Sequence, residues 1–208
     1  MNYFSYVVEH DYGLAPNPFG GYCSLAVCKP GIRGSKNLNI GDWIIGTGGK
    51  KLKSENHIIY LMQVSEKLNF NSYYTDKRFQ YKKPISNGSL VQIFGDNFYF
   101  KDTETDQWSQ DISAHSFKNK EKHIKIDTSS EIVLIGQEFY YFGDMSIEIP
   151  DEFKAICKKG PGMKYKELEE IGTLFVKWIQ NSFGEGIIGD PISWKEYDSV
   201  HNQYKLEI

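Results

Sequence analysis

The chain has 208 residues, of which 40% are hydrophobic and 25% are charged, and its 24 basic and 27 acidic side chains give a formal net charge of −3. This length predicts one domain with a proper core, and the composition excludes a disordered tail, a fibre and a protein whose main role is to coat duplex phosphate. No apolar run approaches the roughly 18 residues that span a bilayer.

Short strands dominate the first 150 residues. Stretches rich in aromatic and β-branched residues alternate with clusters of glycine, proline, asparagine and aspartate, which is the pattern of strands and turns. The predicted strands are residues 3–9, 23–28, 43–46, 58–70, 90–94, 98–100, 132–135 and 138–142. We expect the last six to form three hairpins in chain order, the first with a wide basic tip at residues 47–56.

The other segments predict helices and one irregular stretch. Residues 69–76 predict a helical turn, and residues 101–130 are polar and longer than the roughly 12–15 residues of a passive loop. The strongest helix is residues 166–182, where apolar side chains recur every three or four positions. These side chains are Leu168, Ile171, Phe175, Trp178 and Ile179.

No linker divides the sequence, so we expect a single domain over residues 1–208. Its fold class is α+β, with mostly antiparallel strands. A barrel-like core is expected over about residues 1–150 and a C-terminal amphipathic helix over about residues 165–182.

Three patterns with known chemistry lack the context that they need. The glycines of residues 184–189 follow a predicted helix, whereas a dinucleotide site needs a strand before them. Gly46 to Lys50 lacks the first glycine of a phosphate loop and the hydroxyl that holds magnesium. Cys23 and Cys28 are not spaced like a zinc turn, and on a strand they face opposite sides. We therefore expect no metal site.

The cysteine count and the first residues indicate the compartment. Three cysteines are too few for a disulfide scaffold, and we expect reduced thiols. The first eleven residues carry two acids and a histidine instead of a positive leader, so we expect a cytoplasmic protein.

Residues 10–33 concentrate a histidine, an acid, an amide, two thiols and two basic side chains on a backbone shaped by glycine and proline. Rigid loops with mixed polar groups are where sites are commonly built. His10 or Asp11 is a candidate general base, and Cys23 is a candidate nucleophile. The same residues are also typical of turn caps, small buried thiols and a surface imidazole.

Two further clusters combine groups that suit base recognition. The first interleaves aromatic and basic side chains, namely Tyr73, Tyr74, Lys77, Arg78, Phe79, Tyr81, Lys82 and Lys83. Aromatic faces beside cations suit flipped bases or single strands, although lysines at a sheet edge also prevent aggregation. The second cluster consists of Asp96, Asn97, Trp108, Gln110, Ser113 and His115. Its amides and hydroxyls suit base edges and its indole suits stacking, while Asp and Asn at a turn also serve the backbone.

Several sequence segments together resemble the nucleotide modification associated domain 2 family. They are residues 10–19, 23–33, 41–48, 74–79, 95–97, 108–110 with His115, and 139–143, so the likeness covers nearly the whole chain. The resemblance implies an association with the modification of nucleotides or DNA bases in bacteria and phages. Residues 41–46 with 59–64 also resemble, more loosely, the barrels of the pseudouridine-synthase-and-archaeosine-transglycosylase-like (PUA-like) group, which implies a curved barrel.

The resemblance and the clusters together favour a protein that binds a nucleotide, an extruded modified base or a nucleic acid. The candidate stacking residues are Phe19, Tyr22, Trp43 and Trp108. The candidate groups for base edges are Asn17, Asp96, Asn97, Gln110 and His115, and those for phosphate are Lys29, Arg33 and Arg78. The sequence leaves the cofactor unknown, and no membrane partner is expected.

Two alternatives stay open at this stage. The first is an enzyme acting on a nucleotide or DNA base, in which Asp11 or His10 moves a proton and Cys23 attacks or assists. The second is a scaffold or sensor that recruits partner proteins of a modification or defence operon. The binding role predicts that nucleotide affinity depends on the aromatic and basic residues, whereas the enzyme predicts a turnover that depends on the thiol.

Overall fold

The computed structural model describes residues 1–115, 120–195 and 197, and it shows an α+β fold. Its strands are β1 (Tyr3–Val8), β2 (Cys23–Leu25), β3 (Trp43–Gly48), β4 (His57–Gln63), β5 (Glu66–Asn69), β6 (Tyr99–Lys101), β7 (Trp108–Gln110), β8 (Ile132–Gly136), β9 (Phe139–Tyr141), β10 (Ile147–Glu148), β11 (Met163–Lys164) and β12 (Gly186–Ile187). Its helices are α1 (Pro30–Arg33), α2 (Phe70–Thr75), α3 (Leu90–Ile93), α4 (Lys120–Asp127) and α5 (Glu169–Ser182).

The strands form three mostly antiparallel sheets. The largest has the order β11-β1-β3-β4-β9-β12, with β10 also paired to β4; the second is β2-β8-β5 and the third is β6-β7. Two pairs are parallel, β1 with β3 and β9 with β12. Within the described residues none of these sheets closes into a barrel, so the PUA-like barrel expected from the sequence is not observed.

Two stretches of chain pass from one sheet to the next. β4 ends at Gln63 in the large sheet, and β5 then pairs in the second sheet. In the same way β8 lies in the second sheet and β9 in the large one. The expected hairpin of residues 132–135 and 138–142 is therefore wrong, and the single long strand of residues 58–70 is divided in two.

The expected hairpin of residues 90–94 and 98–100 is also wrong. Residues 90–93 form α3, because Ser89 and Gln92 form a capping box at its start. β6 pairs instead with β7. β7 lies within the polar stretch 101–130, for which the sequence predicted no regular structure.

Three buried clusters of apolar side chains lie between these elements. Helix α5 covers one face of the large sheet with Phe175, Val176 and Ile179, and it packs on Tyr3 and Trp43. The helix begins at Glu169, three residues after the position that the periodicity indicates. Glu167 has a φ of 60°, which a right-handed helix excludes. With 14 residues, α5 is too short to cross a membrane, as is every other helix in the described ranges.

The contact between α5 and β1 depends on the missing side chain of Gly172. A Cβ atom added there would lie 2.3 Å from Cγ of Tyr3. We expect Gly172→Ala to lower the free energy of unfolding by about 1–2 kcal/mol, because overpacking exceeds the helix propensity that alanine gains. Gly184→Ala is the control, since nothing lies within 4 Å of its added Cβ. Urea denaturation followed by circular dichroism measures both; an unchanged Gly172→Ala midpoint would contradict the close contact.

Candidate functional site

A cavity of about 570 Å³, here called the β1 cavity, opens where β1 ends. Its lining includes Val8, Glu9 and His10, which are the last residue of β1 and the two that follow it. Leu14 and Ala15 supply apolar surface from the next loop. The cavity therefore combines an apolar wall with titratable groups, as ligand sites commonly do.

The turn that leads into α1 positions two further lining residues. Cys28 and Lys29 have φ values of 57° and 44°, the left-handed region that non-glycine residues rarely adopt. Such positions cost roughly 1–3 kcal/mol each and cluster at functional sites. Here the turn directs the backbone N–H of Cys28 to Oδ1 of Asp127 at 2.8 Å, which fixes the thiol beside the cavity.

Cys28, His115 and Asp127 form a cluster at the cavity wall. Nε2 of His115 lies 2.9 Å from Oδ2 of Asp127 and 3.9 Å from Sγ of Cys28. The hydroxyl of Tyr99 donates to the same carboxylate oxygen at 3.1 Å. Burial alone would lower the pKa of His115, but the hydrogen bonds to Asp127 and Cys28 outweigh it and raise this pKa to about 10.

Flat rings form other parts of the lining. The ring of Tyr12 stacks on Phe94 with centroids 4.9 Å apart, and the His10 ring lies 6.3 Å from that of Tyr12 with a nearly parallel plane. His123 stacks on His115 at 4.8 Å. Nδ1 of His123 is buried and has no hydrogen-bond partner within the ranges that the structure describes. These faces suit a planar, partly polar ligand.

A second depression of about 690 Å³ lies next to the β1 cavity and shares Glu9 with it. We call it the lysine groove, after its residues Lys50, Lys51, Lys158 and Lys159. β1 and β3 are parallel, so their C-terminal ends meet at one edge, where ligands of open sheets commonly bind. Lys51 forms an ion pair with Glu9 at 3.0 Å, and the groove is a basic patch on a chain of net negative charge.

Of the residues predicted from the sequence, His10, Lys29 and His115 line the β1 cavity. The structure places Asp11 and Cys23 elsewhere. Asp11 is buried and accepts hydrogen bonds from the hydroxyl of Tyr141 and the N–H of Ile192, and burial raises the pKa of its carboxyl. Cys23 is fully buried in the core, where burial raises its thiol pKa to about 12.

Asn17 and Asp96 belong to a buried polar network around Lys82. The ammonium of Lys82 donates to O and Oδ1 of Asn17, the carbonyl of Tyr22 and Oγ of Ser24, at 2.7–2.9 Å. Ser24 in turn donates to Asp96 at 2.6 Å. Burial lowers the pKa of Lys82 to about 8 and raises that of Asp96.

Asn97 is buried beside this network. Its side-chain amide donates to the carbonyls of Tyr73 and Phe79 at 3.1 and 3.0 Å. The amides of Asn17 and Asn97 therefore serve internal contacts and do not face the β1 cavity.

Arg33 is buried and points into the protein. Its guanidinium donates to the carbonyls of Cys28, Ser130, Ile132 and Asp127, and it thereby ties α1 to β8 and to the end of α4. Burial lowers its pKa to about 10. These contacts orient the guanidinium away from solvent.

The remaining predicted residues are distributed over the molecule. Trp43 is 1% exposed and Phe19 is 8% exposed, so both rings belong to the interior. Arg78 forms ion pairs with Glu66 and Asp76 and lies over the ring of Tyr22.

Trp108 and Gln110 lie on β7, outside the β1 cavity. The indole of Trp108 packs edge-on against Phe70, and the ammonium of Lys101 lies 5.1 Å from its ring centroid. Gln110 is partly buried and pairs with Tyr99 across the β6–β7 ladder. Apart from His10, Lys29 and His115, the predicted residues therefore do not share this cavity.

The lining residues that sequence reasoning did not assign to a site include Tyr12, Cys28, His123 and Asp127. Tyr12 and Cys28 lie within the suspected loop, so their segment carried a signal. Nothing in the sequence marked Asp127 as a site residue, because it is an ordinary acidic residue at the end of a charged helix. Its role follows from its contacts with Cys28, Tyr99 and His115, which lie 99, 28 and 12 positions earlier in the chain.

Comparisons with known proteins returned one match. A family model described as nucleotide modification associated domain 2 matches residues 1–198. No match was found among curated proteins or among solved structures.

Proposed function

The chain belongs to the nucleotide modification associated domain 2 family, and from this premise we propose that it binds a nucleotide or an extruded modified base in the β1 cavity. The family name connects it with nucleotide modification systems, and a nucleotide or nucleic-acid partner fits that association. The observation that carries the proposal is the combination of flat ring faces, apolar walls and Lys29 around one cavity.

The base would occupy the ring-lined part of the cavity. Its volume of about 570 Å³ lies within the range of roughly 300–1,000 Å³ that small-molecule sites occupy. Tyr12 stacks on Phe94 and lies nearly parallel to the ring of His10, and a base would join this group of rings at the cavity. Stacking of a base on an aromatic ring contributes about 1–3 kcal/mol, so this contact would supply much of the affinity.

The phosphate would lie toward Lys29 and the lysine groove. Nζ of Lys29 donates to the carbonyl of Val7 at 3.0 Å, and an ammonium has two further donors for a ligand. Glu9 forms the common wall of the cavity and the groove, so a strand whose base enters the cavity would have lysines along its backbone. Local charge, rather than net charge, would supply the attraction.

Two buried basic residues that the sequence suggested for ligand binding would instead hold the backbone near this site in place. Arg33 holds the carbonyls of Cys28 and Asp127, and Lys82 fixes the loop around Asn17. We assign neither a direct contact with ligand.

Replacing Tyr12 tests the proposal. We expect Tyr12→Ala to weaken binding by about 5- to 150-fold, which corresponds to the loss of one stacking contact. The probe is a fluorescein-labelled single-stranded oligonucleotide with either ordinary or modified bases, measured by fluorescence anisotropy. A thermal-shift series with nucleoside monophosphates detects free nucleotides, because a ligand at 100 times its Kd stabilises by about 2.7 kcal/mol.

Tyr22→Ala is the matched control. Tyr22 is a partly buried tyrosine of the same loop region, but it packs on Phe79 outside the cavity. We expect Tyr22→Ala to retain the affinity of the native protein for the probe that binds. If the native protein and Tyr12→Ala bind every probe with equal affinity, the β1 cavity is not the nucleotide-binding site.

An enzymatic role is the second candidate, and the cluster of Cys28, His115 and Asp127 favours it. If the chain turns over a bound nucleotide, Cys28 replaces Cys23 as the relevant thiol, because only Cys28 lines the cavity. Turnover lost in Cys28→Ser and retained in Cys23→Ser would support this role. Product analysis with the nucleotide found in the binding screen provides the measurement; binding without turnover in the native protein argues for the binding role alone.

A further inference from the structure

We propose that Cys28, His115 and Asp127 bind one divalent ion of the zinc class at the wall of the β1 cavity, with one coordination position open to it. A thiolate, an imidazole and a carboxylate form a donor set that suits zinc. Three protein ligands with an open fourth position are the arrangement of zinc sites that bind water or substrate. The proposal goes beyond nucleotide binding and does not depend on it.

The three ligand atoms lie close enough together for small shifts to bring them around one ion. Sγ of Cys28, Nε2 of His115 and a carboxylate oxygen of Asp127 all lie within 4.8 Å of one another. Zinc bonds of roughly 2.0–2.3 Å place tetrahedral ligand atoms about 3.3–3.8 Å apart. The observed separations of 2.9 Å and 3.9 Å from Nε2 lie on either side of that range. Shifts of less than about 1 Å in these two separations bring them into the zinc range.

The surrounding contacts hold the ligands in place. The hydroxyl of Tyr99 and the N–H of Cys28 each donate to the carboxylate of Asp127. Arg33 donates to the backbone carbonyls of both Cys28 and Asp127. Outer contacts of this kind orient metal ligands and usually matter nearly as much as the ligands themselves.

The position of the cluster supports a functional metal rather than a buried structural one. Cys28 and His115 are only partly buried, and all three ligand residues line the β1 cavity. Elsewhere in the described ranges, no other three His, Cys, Asp or Glu side chains come together in this way. An ion here would face the polar part of any molecule in the cavity.

Cobalt titration of the full chain tests the site. The protein is freed of metal with a chelator and titrated with Co²⁺, whose tetrahedral thiolate complexes have a charge-transfer absorption in the near ultraviolet and ligand-field bands in the visible. We expect one equivalent to bind with both signals and Zn²⁺ to displace it. Elemental analysis of the protein as purified gives a second, independent readout.

Three variants complete the experiment. Cys28→Ser is expected to lose the charge-transfer band, whereas Cys157→Ser, which removes a half-buried thiol outside the β1 cavity, retains it. Tyr99→Phe keeps all three ligands and is expected to weaken Co²⁺ binding about 10-fold or more. Circular dichroism confirms that each variant folds. A folded native protein without the thiolate band, or a band that persists in Cys28→Ser, overturns the proposal whether or not nucleotides bind.

Discussion

Lys82→Met is expected to lower the free energy of unfolding by about 3–5 kcal/mol, the range found when one member of a buried charge network is removed. Lys82 is 2% exposed, and its ammonium satisfies acceptors on Asn17, Tyr22 and Ser24. Methionine has a similar shape but no donor. These buried acceptors would lose a partner, and the carboxylate of Asp96 would lose its nearby positive charge. Urea denaturation at pH 7 measures the change.

Lys77→Met is the control, because Lys77 is exposed in the same segment, and we expect a change within about 0.5 kcal/mol. The pH dependence gives a second readout. The folded pKa of Lys82, about 8, lies below the usual 10.5, so the unfolded chain binds more protons between these values and stability rises with pH there. The stability difference between native protein and Lys82→Met should therefore increase above pH 8. A difference that decreases over that window contradicts a pKa of Lys82 that is lower in the folded protein than in the unfolded chain.

Arg33→Leu is expected to destabilise the protein by about 3 kcal/mol or more, since four carbonyls, two of them in fully buried hydrogen bonds, lose a charged donor and each buried unsatisfied group costs roughly 1–3 kcal/mol. Arg33→Lys separates this structural role from phosphate binding. Lysine keeps the charge but cannot reproduce the planar fork that reaches the carbonyls of Asp127 and Ile132.

We therefore expect Arg33→Lys to lose most of the same stability. Thermal and urea denaturation measure both variants, with Lys36→Leu as an exposed control in the next turn of chain. An Arg33→Lys variant with native stability but weakened nucleotide binding would falsify the structural role and return Arg33 to the phosphate contacts.

Local patterns predicted individual elements better than their pairing. The apolar spacing from Leu168 to Ile179 indicated the region of α5, and the aromatic and β-branched residues of segment 3–9 indicated β1. Pairing depends on contacts that no local pattern contains. β8 and β9 look like a hairpin around Gly136, yet they join different sheets because the chain passes from one sheet to the other there.

In the candidate site, too, local sequence predicted some residues, whereas the residues brought in by long-range contacts could not be predicted. His10 and Lys29 could be suspected because binding sites are commonly built from mixed polar groups on loops that glycine and proline make rigid. The burial of Trp43 and Arg33 was not visible, since side chains that suit ligands also suit an interior with matching partners. Asp127 reaches the cluster only because β8 and Arg33 bring the end of α4 against the turn at Cys28.

The strand pairing of β1 affects how the chain folds during translation. This strand lies between β3, formed by residues 43–48, and β11, formed by residues 163–164. During translation residues 5 and 6 of β1 lack these β11 partners until most of the chain has left the ribosome, and the Tyr-, Phe- and Val-rich strand is prone to aggregate before its contacts form. Such distant contacts also slow folding. Chains truncated before β11 are therefore expected to be insoluble rather than to form a smaller folded protein. Co-expressed chaperones are expected to raise the yield of the full-length protein.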